Sequence, residues 1–148
     1  MHLFLAHHGD AVGPDVDPRR PLSELGRAQV ARLAADAARR GARPEMVWHS
    51  GKLRARQTAE AYWKACNALA EFSATKDLQP DDPAAWMRDR LQGESRSVLI
   101  AGHFPYLPRL LALLLEARHE SPVEFPLNGI VALEGGESAG WRELWRLP

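Results

Sequence analysis

The sequence is poor in cysteine and has no excess of charge of either sign. Its single cysteine, Cys66, excludes an intrachain disulfide and provides no pair of thiolates for a metal ion. Lys and Arg total 19 and Asp and Glu also total 19, so no net field attracts nucleic acid or an anionic membrane. Any attraction for anions must therefore come from a local cluster of positive groups.

Long apolar runs are also missing. The leucine-rich stretch at 107–115 contains Pro108 and Arg109 and is too short to span a membrane. The first residues, MHLFLAHHGD, lack the basic and long apolar segments of a signal peptide, so we expect a cytoplasmic protein. The length of 148 residues predicts one domain over 1–148.

Apolar and polar segments alternate in a way that predicts strands followed by helices. We expect strands at 3–6, 45–49, 97–101, 130–133 and 141–145, the last two forming a hairpin around GGESAG. We expect helices at 24–40, with Ser23 as N-cap, and at 51–70, 84–92 and about 105–117, and loops at 12–22 and 73–83. This order predicts an α/β fold, a three-layer α/β/α sandwich with a mainly parallel sheet.

Polar residues of one kind follow three of the predicted strands. These residues are His7, His8 and Gly9, then His49 and Ser50, and finally Gly102 and His103. Because the carboxyl ends of parallel strands meet at one edge of a sheet, two or three of the imidazoles and a guanidinium can converge there. Basic residues open the helix after the second strand, and the N–H groups of helix N-termini add positive potential. The pattern therefore predicts an anion site.

Two other kinds of site are weaker alternatives. Three histidines can bind zinc, but His7 and His8 are adjacent and would point to opposite faces of an extended strand. Arg54 would also repel a cation. A serine hydrolase is disfavoured because no GxSxG motif surrounds Ser50. We therefore expect no metal site.

Four stretches together resemble the histidine phosphatase superfamily, the phosphoglycerate mutase-like proteins. HHGDA resembles the family's RHGxA motif, and HSGKLRARQTAE resembles its SSPxxRAxQTAE segment. RPLSELG is similar to RPLTxxG, and LIAGHFP to VxHxP, and all four stand in the family's order. The short connection at 77–97 is most similar to that of the SixA-type phosphohistidine phosphatases. The resemblance implies a phosphoglycerate mutase-like fold.

The resemblance also implies a phosphatase without metal or cofactor that acts through a phosphohistidine intermediate. It matches His8 to the nucleophile, and Arg54 and His103 to the groups that bind the phosphoryl oxygens. Two residues depart from the family pattern, because His7 replaces an arginine and Gly51 replaces a proline. The loss of a fixed charge and of a bidentate fork at His7 predicts reduced activity. We expect His7 to point at the anion as a weak, pH-dependent substitute.

The general acid is the least defined role. The residue after the second histidine, an aspartate in the acid-phosphatase branches, is Phe104 here. We favour Asp77, and the alternatives are Asp10, Asp81 and Asp82.

The expected substrate-binding residues lie within or beside the four motifs. They are His7, Gly9, Arg20, Ser50 and Asn128. Arg20 could replace the charge missing at position 7, as could Arg19, Lys52 or Arg56. Asn128 lies in FPLNG, which resembles the family's FxxxSI segment, although a turn before a strand also suits an asparagine.

Two substrate classes and one rival function remain open. The expected substrate is a phosphohistidine on a signalling protein of the histidine phosphotransfer type, or a small phosphoester. The rival is a catalytically degenerate module that binds phosphate or a phosphorylated protein without turnover. We expect neither nucleic acid nor a membrane as partner.

Overall fold

The computed structural model describes residues 1–116, 123–136 and 139–148 of the chain. The strands are β1 (His2–His7), β2 (Met46–His49), β3 (Glu71–Ala74), β4 (Val98–Gly102), β5 (Ile130–Gly136) and β6 (Gly140–Leu147). The helices are α1 (Glu24–Arg39), α2 (Leu53–Cys66), α3 (Ala84–Gln92) and α4 (Tyr106–Leu114). In the described part of the chain, no helix has the length and apolar character needed to cross a membrane.

The six strands form one mixed sheet in the order β3-β2-β4-β1-β5-β6. β3, β2, β4 and β1 pair in parallel, whereas β5 is antiparallel to β1 and β6 is antiparallel to β5. The predicted α/β fold with a mainly parallel sheet is therefore confirmed, and the pairing of β5 with β6 confirms the hairpin. Two positions of its predicted turn, 137 and 138, lie outside the described residues.

Helices cover both faces of this sheet, which gives the predicted three layers. Alternate residues of β1 point to opposite faces. Leu3 and Leu5 pack in one apolar cluster with side chains of α3 and α4. Phe4 and Ala6 pack in a second cluster with side chains of α1 and α2. Because both faces are covered, β2 and β4 are buried along their whole length.

The strand β3 is the element that the sequence analysis missed. Its first two residues had no predicted structure and its last two were expected to begin a loop, but all four pair in parallel with β2. β3 lies at the edge of the sheet, and of its four residues only Phe72 is even partly buried. Because an exposed edge strand can be held by backbone pairing with its neighbour, its sequence does not need an apolar run.

Helix boundaries differ from expectation where a local backbone feature intervenes. α1 follows its predicted N-cap, since the Ser23 hydroxyl accepts a 3.0 Å hydrogen bond from the Gly26 N–H. α2 begins later than predicted because Gly51 has a φ of +91°, outside the helical region. It ends earlier, since the backbone turns extended at Asn67. α4 ends at Leu114, and position 117 of its predicted range lies outside the described residues.

Candidate active site

The carboxyl ends of β2, β4 and β1 lie side by side at one edge of the sheet. His8 follows β1, and its ring centroid lies 5.2 Å from that of His103, which follows β4. His7 completes the group, 4.4 Å from His8 between ring centroids. Ser50, after β2, contacts His103 through its hydroxyl. The parallel pairing thus brings His7, His8 and His103 together, whereas the ring of His49 lies 5.1 Å from that of Phe72 between centroids.

His8 is held in one tautomer by its neighbour in the chain. Its Nδ1 lies 2.7 Å from the carbonyl oxygen of Gly9, which only accepts, so Nδ1 donates and carries the ring proton. Burial lowers the pKa of His8, and the positive charges of Arg54 and Arg20 lower it further, against the opposing effect of the Gly9 carbonyl. The ring is therefore neutral near pH 7, with the lone pair of Nε2 available for attack.

The residues that follow β1 pack so closely against α1 that position 9 has no room for a side chain. A Cβ at Gly9 would lie 2.5 Å from Cγ2 of Val30, which is too close for any real contact. The Gly9 N–H donates to the Thr58 hydroxyl at 3.0 Å, and this hydroxyl donates to the Arg54 carbonyl at 2.8 Å. Thr58, which the sequence analysis did not single out, thus joins the loop after His8 to the helix of Arg54.

Two guanidinium groups supply the positive charge of the site. Burial lowers the pKa of Arg54, and the neighbouring charge of Arg20 lowers it further. Nε of Arg54 is buried and has no hydrogen-bond partner among the described residues. Arg20 adopts a φ of +48°, and its Nε donates to the Val12 carbonyl at 3.1 Å. Two nearby guanidiniums with a buried unpartnered donor form a site suited to an oxyanion.

His103 is buried, with 2% of its surface exposed. Its Nε2 lies 2.6 Å from the Ser50 hydroxyl, and its Nδ1 is buried without a hydrogen-bond partner in the described part of the chain. Burial, together with the charges of His8, Arg54 and Lys52, lowers the pKa of His103 to about 3. His103 is therefore neutral and offers hydrogen bonding rather than charge.

His7 does not behave as the pH-dependent cation that its ordinary pKa suggested. Its ring stacks on Phe104 at 3.9 Å between centroids, and its Nδ1 accepts a 2.8 Å hydrogen bond from the Asn128 N–H. Burial lowers the pKa of His7 to about 3, and the charges of His8 and Arg54 add to the effect. Since Nδ1 is an acceptor, the ring proton lies on Nε2, and His7 is a neutral donor.

Asn128 connects the segment before β5 to the end of β1. Besides its bond to His7, it donates from Nδ2 to the His8 carbonyl at 2.8 Å. It adopts a φ of +56°, in the left-handed region that asparagine tolerates better than most residues. The His7 N–H donates in turn to the Gly129 carbonyl at 2.9 Å. Both N–H donor groups of Asn128 thus bind the chain around the imidazoles.

Among the described residues, Asp10 and Asp82 accept hydrogen bonds from groups other than the imidazoles. Asp77 is half-buried with a φ of +69°, and its charge adds to burial in raising the pKa of Tyr106. Asp10 accepts a 2.6 Å hydrogen bond from the Ser23 hydroxyl and slightly favours protonation of His8. No hydrogen bond joins Asp77 to an imidazole within the residues described.

The region after β3 contributes a residue that the sequence did not indicate. Gln79 donates from Nε2 to the Ser50 carbonyl at 2.7 Å, and its own N–H donates to the Asp82 carboxylate at 2.9 Å. A glutamine in a polar loop carries no signal of such a contact. Over the described ranges, no group of three His, Cys, Asp or Glu side chains is placed to hold a metal ion.

Comparison with known proteins gives one family and one group of structures. The family model for the histidine phosphatase superfamily (branch 1) matches residues 6–87. The search of curated proteins gave no match. The chain is similar to the protein histidine phosphatase SixA in complex with tungstate, with 27% identity over 99% of this chain and 96% of that chain and a TM-score of 0.85.

Two further structures agree with this result. A protein from Agrobacterium tumefaciens assigned as phosphohistidine phosphatase SixA is 28% identical over 99% of this chain and 97% of its own, with a TM-score of 0.77. A phosphoglycerate mutase from Plasmodium falciparum shares the fold at 14% identity, with a TM-score of 0.73 and coverage of 97% and 88%. The expected resemblance to SixA structures and to the phosphoglycerate mutase-like fold is confirmed. The chain belongs to the histidine phosphatase superfamily.

Proposed function

We propose that the protein is a metal-independent phosphatase that acts on phosphohistidine carried by another protein. Family membership and the SixA structures support a phosphatase. One observation carries the proposal further, namely that the Gly9 carbonyl holds the proton of His8 on Nδ1 and leaves Nε2 as a neutral nucleophile. His103 lies beside this ring, the charge of Arg54 acts on it, and both residues have buried nitrogens without partners among the described residues.

The proposed reaction has two displacements. Nε2 of His8 forms a bond to phosphorus while the bond from phosphorus to the leaving nitrogen breaks, and that nitrogen keeps the electron pair. The imidazole ring of phosphorylated His8 is cationic, and its Nδ1–H still donates to the Gly9 carbonyl. Water then attacks phosphorus, the electron pair returns to Nε2, and inorganic phosphate leaves with the oxygen of the water. Arg54, Arg20 and the Nδ1–H of His103 stabilise the phosphoryl oxygens in both steps.

The position of the acids favours a phosphoramidate over an alkyl phosphoester. An alkoxide leaving group needs a proton from an acid within hydrogen-bond reach. Asp77 has no hydrogen bond to an imidazole among the described residues, and the carboxylate of Asp10 is bonded to Ser23. A phosphohistidine protonated on its other ring nitrogen leaves as neutral imidazole and needs no acid from the enzyme. For a phosphoester, Asp77 remains the proposed acid.

We propose the other substrate-binding residues from the same contacts. We include His7, whose Nε2–H supplies one neutral hydrogen bond to the oxyanion, and Arg20, which supplies the second guanidinium. Asn128 and Gly9 act on the phosphoryl group only through other residues. Asn128 donates hydrogen bonds to His7 and His8, and Gly9 donates one to Thr58. A phosphorylated domain of the histidine phosphotransfer type is the proposed partner.

The first prediction is that phosphoryl transfer leaves acid-labile, base-stable phosphate on His8. The experiment incubates the protein with a ³²P-labelled phosphohistidine protein, with phosphoramidate and with p-nitrophenyl phosphate, and quenches at short times. We expect label on the wild type and on His2→Asn, a matched change at an exposed histidine, and none on His8→Asn. Turnover should be faster with the phosphoramidates and unchanged by EDTA.

Three results would contradict the proposal. If His8→Asn turns over substrate and carries as much label as the wild type, His8 is not the nucleophile. Loss of turnover in EDTA with recovery on adding a divalent ion would establish a metal-dependent reaction. Binding of phosphate or tungstate without any turnover would show that the protein is a phosphate-binding module. The replacement of the family's arginine by His7 is the observation that supports this alternative.

A further inference from the structure

We infer that Ser50 is a positioning residue that fixes the tautomer of His103, so that the ring proton of His103 lies on Nδ1. The effect on rate rests on the proposed function, whereas the tautomer itself does not. Ser50 was expected to bind substrate, but its hydroxyl lies 2.6 Å from Nε2 of His103, and both residues are buried. The role assigned here therefore acts through His103.

The direction of this hydrogen bond follows from the partners of the hydroxyl. The Ser50 Oγ has two hydrogen-bond partners among the described residues, and one of them, the Lys52 N–H at 3.4 Å, can only donate. The hydroxyl proton is then directed to its other close neighbour, Nε2 of His103. Burial keeps the His103 ring neutral. A neutral ring that accepts at Nε2 must carry its proton on Nδ1.

The result is a pair of neutral imidazoles whose proton positions suit different tasks. In His8 the proton is held on Nδ1 by the Gly9 carbonyl, which frees Nε2 for attack. In His103 the proton on Nδ1 belongs to a buried nitrogen that no described residue satisfies. A buried donor without a partner is unfavourable in the free protein and gains most from an oxyanion. Ser50 thus makes His103 a donor at the phosphoryl site.

The main chain of Ser50 is held from a second direction. The Ser50 carbonyl accepts the 2.7 Å hydrogen bond from Gln79 Nε2, and the Gln79 N–H is itself held by Asp82. The loop after β2 is therefore tied to the segment before α3. This contact restricts the position of the Ser50 hydroxyl before substrate arrives, as a positioning role requires.

Removal of the hydroxyl leaves Nε2 of His103 without its donor. The neutral ring is then free to carry its proton on either nitrogen, and the population that donates from Nδ1 falls. Ser50→Ala should lower kcat, because the lost donor acts on the phosphoryl oxygens in the transition state. Ser50→Thr keeps a hydroxyl at the same position and should restore the function.

The test combines kinetics with ¹⁵N NMR of the imidazoles in histidine-labelled protein, and the His103 signals are assigned by comparison with His103→Gln. In the wild type we expect a protonated Nδ1 and an unprotonated Nε2. Ser50→Ala should shift His103 toward the other tautomer and lower kcat by about 10- to 100-fold with little change in KM. Ser50→Thr should recover both, and Ser95→Ala, a matched change at an exposed serine, should alter neither.

The NMR measurement tests this inference, and the kinetic measurement on the wild type tests the proposed function, so the failure of one can be distinguished from the failure of the other. A wild-type His103 protonated on Nε2 overturns the inference, whether or not the protein is a phosphatase and whether or not the variants fold. A folded Ser50→Ala with wild-type kcat and tautomer also overturns it. A wild type without phosphatase activity refutes the proposed function, and the tautomer measured with and without tungstate then decides the inference alone.

Discussion

At the scale of single residues, the site depends on which nitrogen of each imidazole carries the proton. His7 shows why residue type alone does not determine this. An isolated histidine has a pKa near 6.5 and would be partly charged at pH 7. In the folded chain, His7 receives a hydrogen bond from Asn128, 121 positions away, and is stacked on Phe104. Burial and these contacts keep the ring neutral, so under the proposed function His7 supplies one hydrogen bond to the phosphoryl group, where an arginine would supply two and a charge.

We predict that His7→Arg raises kcat/KM by about tenfold or more, the effect of one charged hydrogen bond. Because His7 is neutral from pH 5 to 8, wild type and His7→Arg should have parallel pH profiles with phosphohistidine. His7→Gln, which keeps one neutral donor, should remain within a few-fold of the wild type. The measurement is kcat/KM from pH 5 to 8 for the three proteins. A wild-type rate that falls more steeply between pH 6 and 8 than that of His7→Arg would show that His7 titrates.

The types of residue in the site were predictable, whereas their pairings were not. An apolar strand that ends in histidine and glycine is a local pattern, and it correctly indicated where His8 and His103 lie. The bond between Ser50 and His103 depends on how far two different strands extend at the sheet edge. The sequence does not directly show how far one strand extends relative to the other. For the same reason, it indicated no role for Gln79.

At the scale of helices and strands, elements with their own apolar pattern were predictable. α1 has an N-cap and an apolar stripe, and β4 is an unbroken apolar run, so both lie close to their predicted ranges. β3 has neither feature, because an exposed edge strand takes its conformation from backbone bonds to β2. The segment before β5 also takes its conformation from a distant part of the chain, since Asn128 donates a hydrogen bond to the His8 carbonyl.

We predict that two substitutions of Asn128 separate its side-chain bond from its backbone conformation. Asn128→Gly loses the hydrogen bond to the His8 carbonyl but adopts a φ of +56° without strain. Asn128→Ala loses the same bond and must also hold a left-handed backbone, which costs about 1 kcal/mol or more. Urea unfolding should therefore rank wild type above Asn128→Gly and Asn128→Ala last. Leu127→Ala, at the exposed neighbour, is the control, and an alanine variant at least as stable as the glycine variant would contradict this account.

At the scale of the whole molecule, a chain without net charge concentrates positive groups at one edge of its sheet. Lys and Arg equal Asp and Glu in number. The parallel order β2-β4-β1 nevertheless places Arg54, Arg20 and the imidazoles at a single edge. The fold therefore creates a local concentration of positive charge that the composition does not reveal. It also buries His7 and His103 beside these cations in their neutral form, and this burial affects stability.

We predict that stability falls as pH falls from 7 to 5, because these two histidines resist protonation only in the folded state. Each has a folded pKa of about 3 and an unfolded pKa near 6.5, so the unfolded chain binds more protons between these values. From pH 7 to pH 5, each should reduce the free energy of unfolding by about 2 kcal/mol. Urea unfolding at both pH values checks this. His103→Asn and His7→Asn should each reduce the difference between the two pH values by about that amount, and His2→Asn, at an exposed position, should leave it unchanged. An equal difference in all four proteins would mean that both histidines accept protons in the folded state, and His103 could not then remain a neutral partner of Ser50 at pH 5.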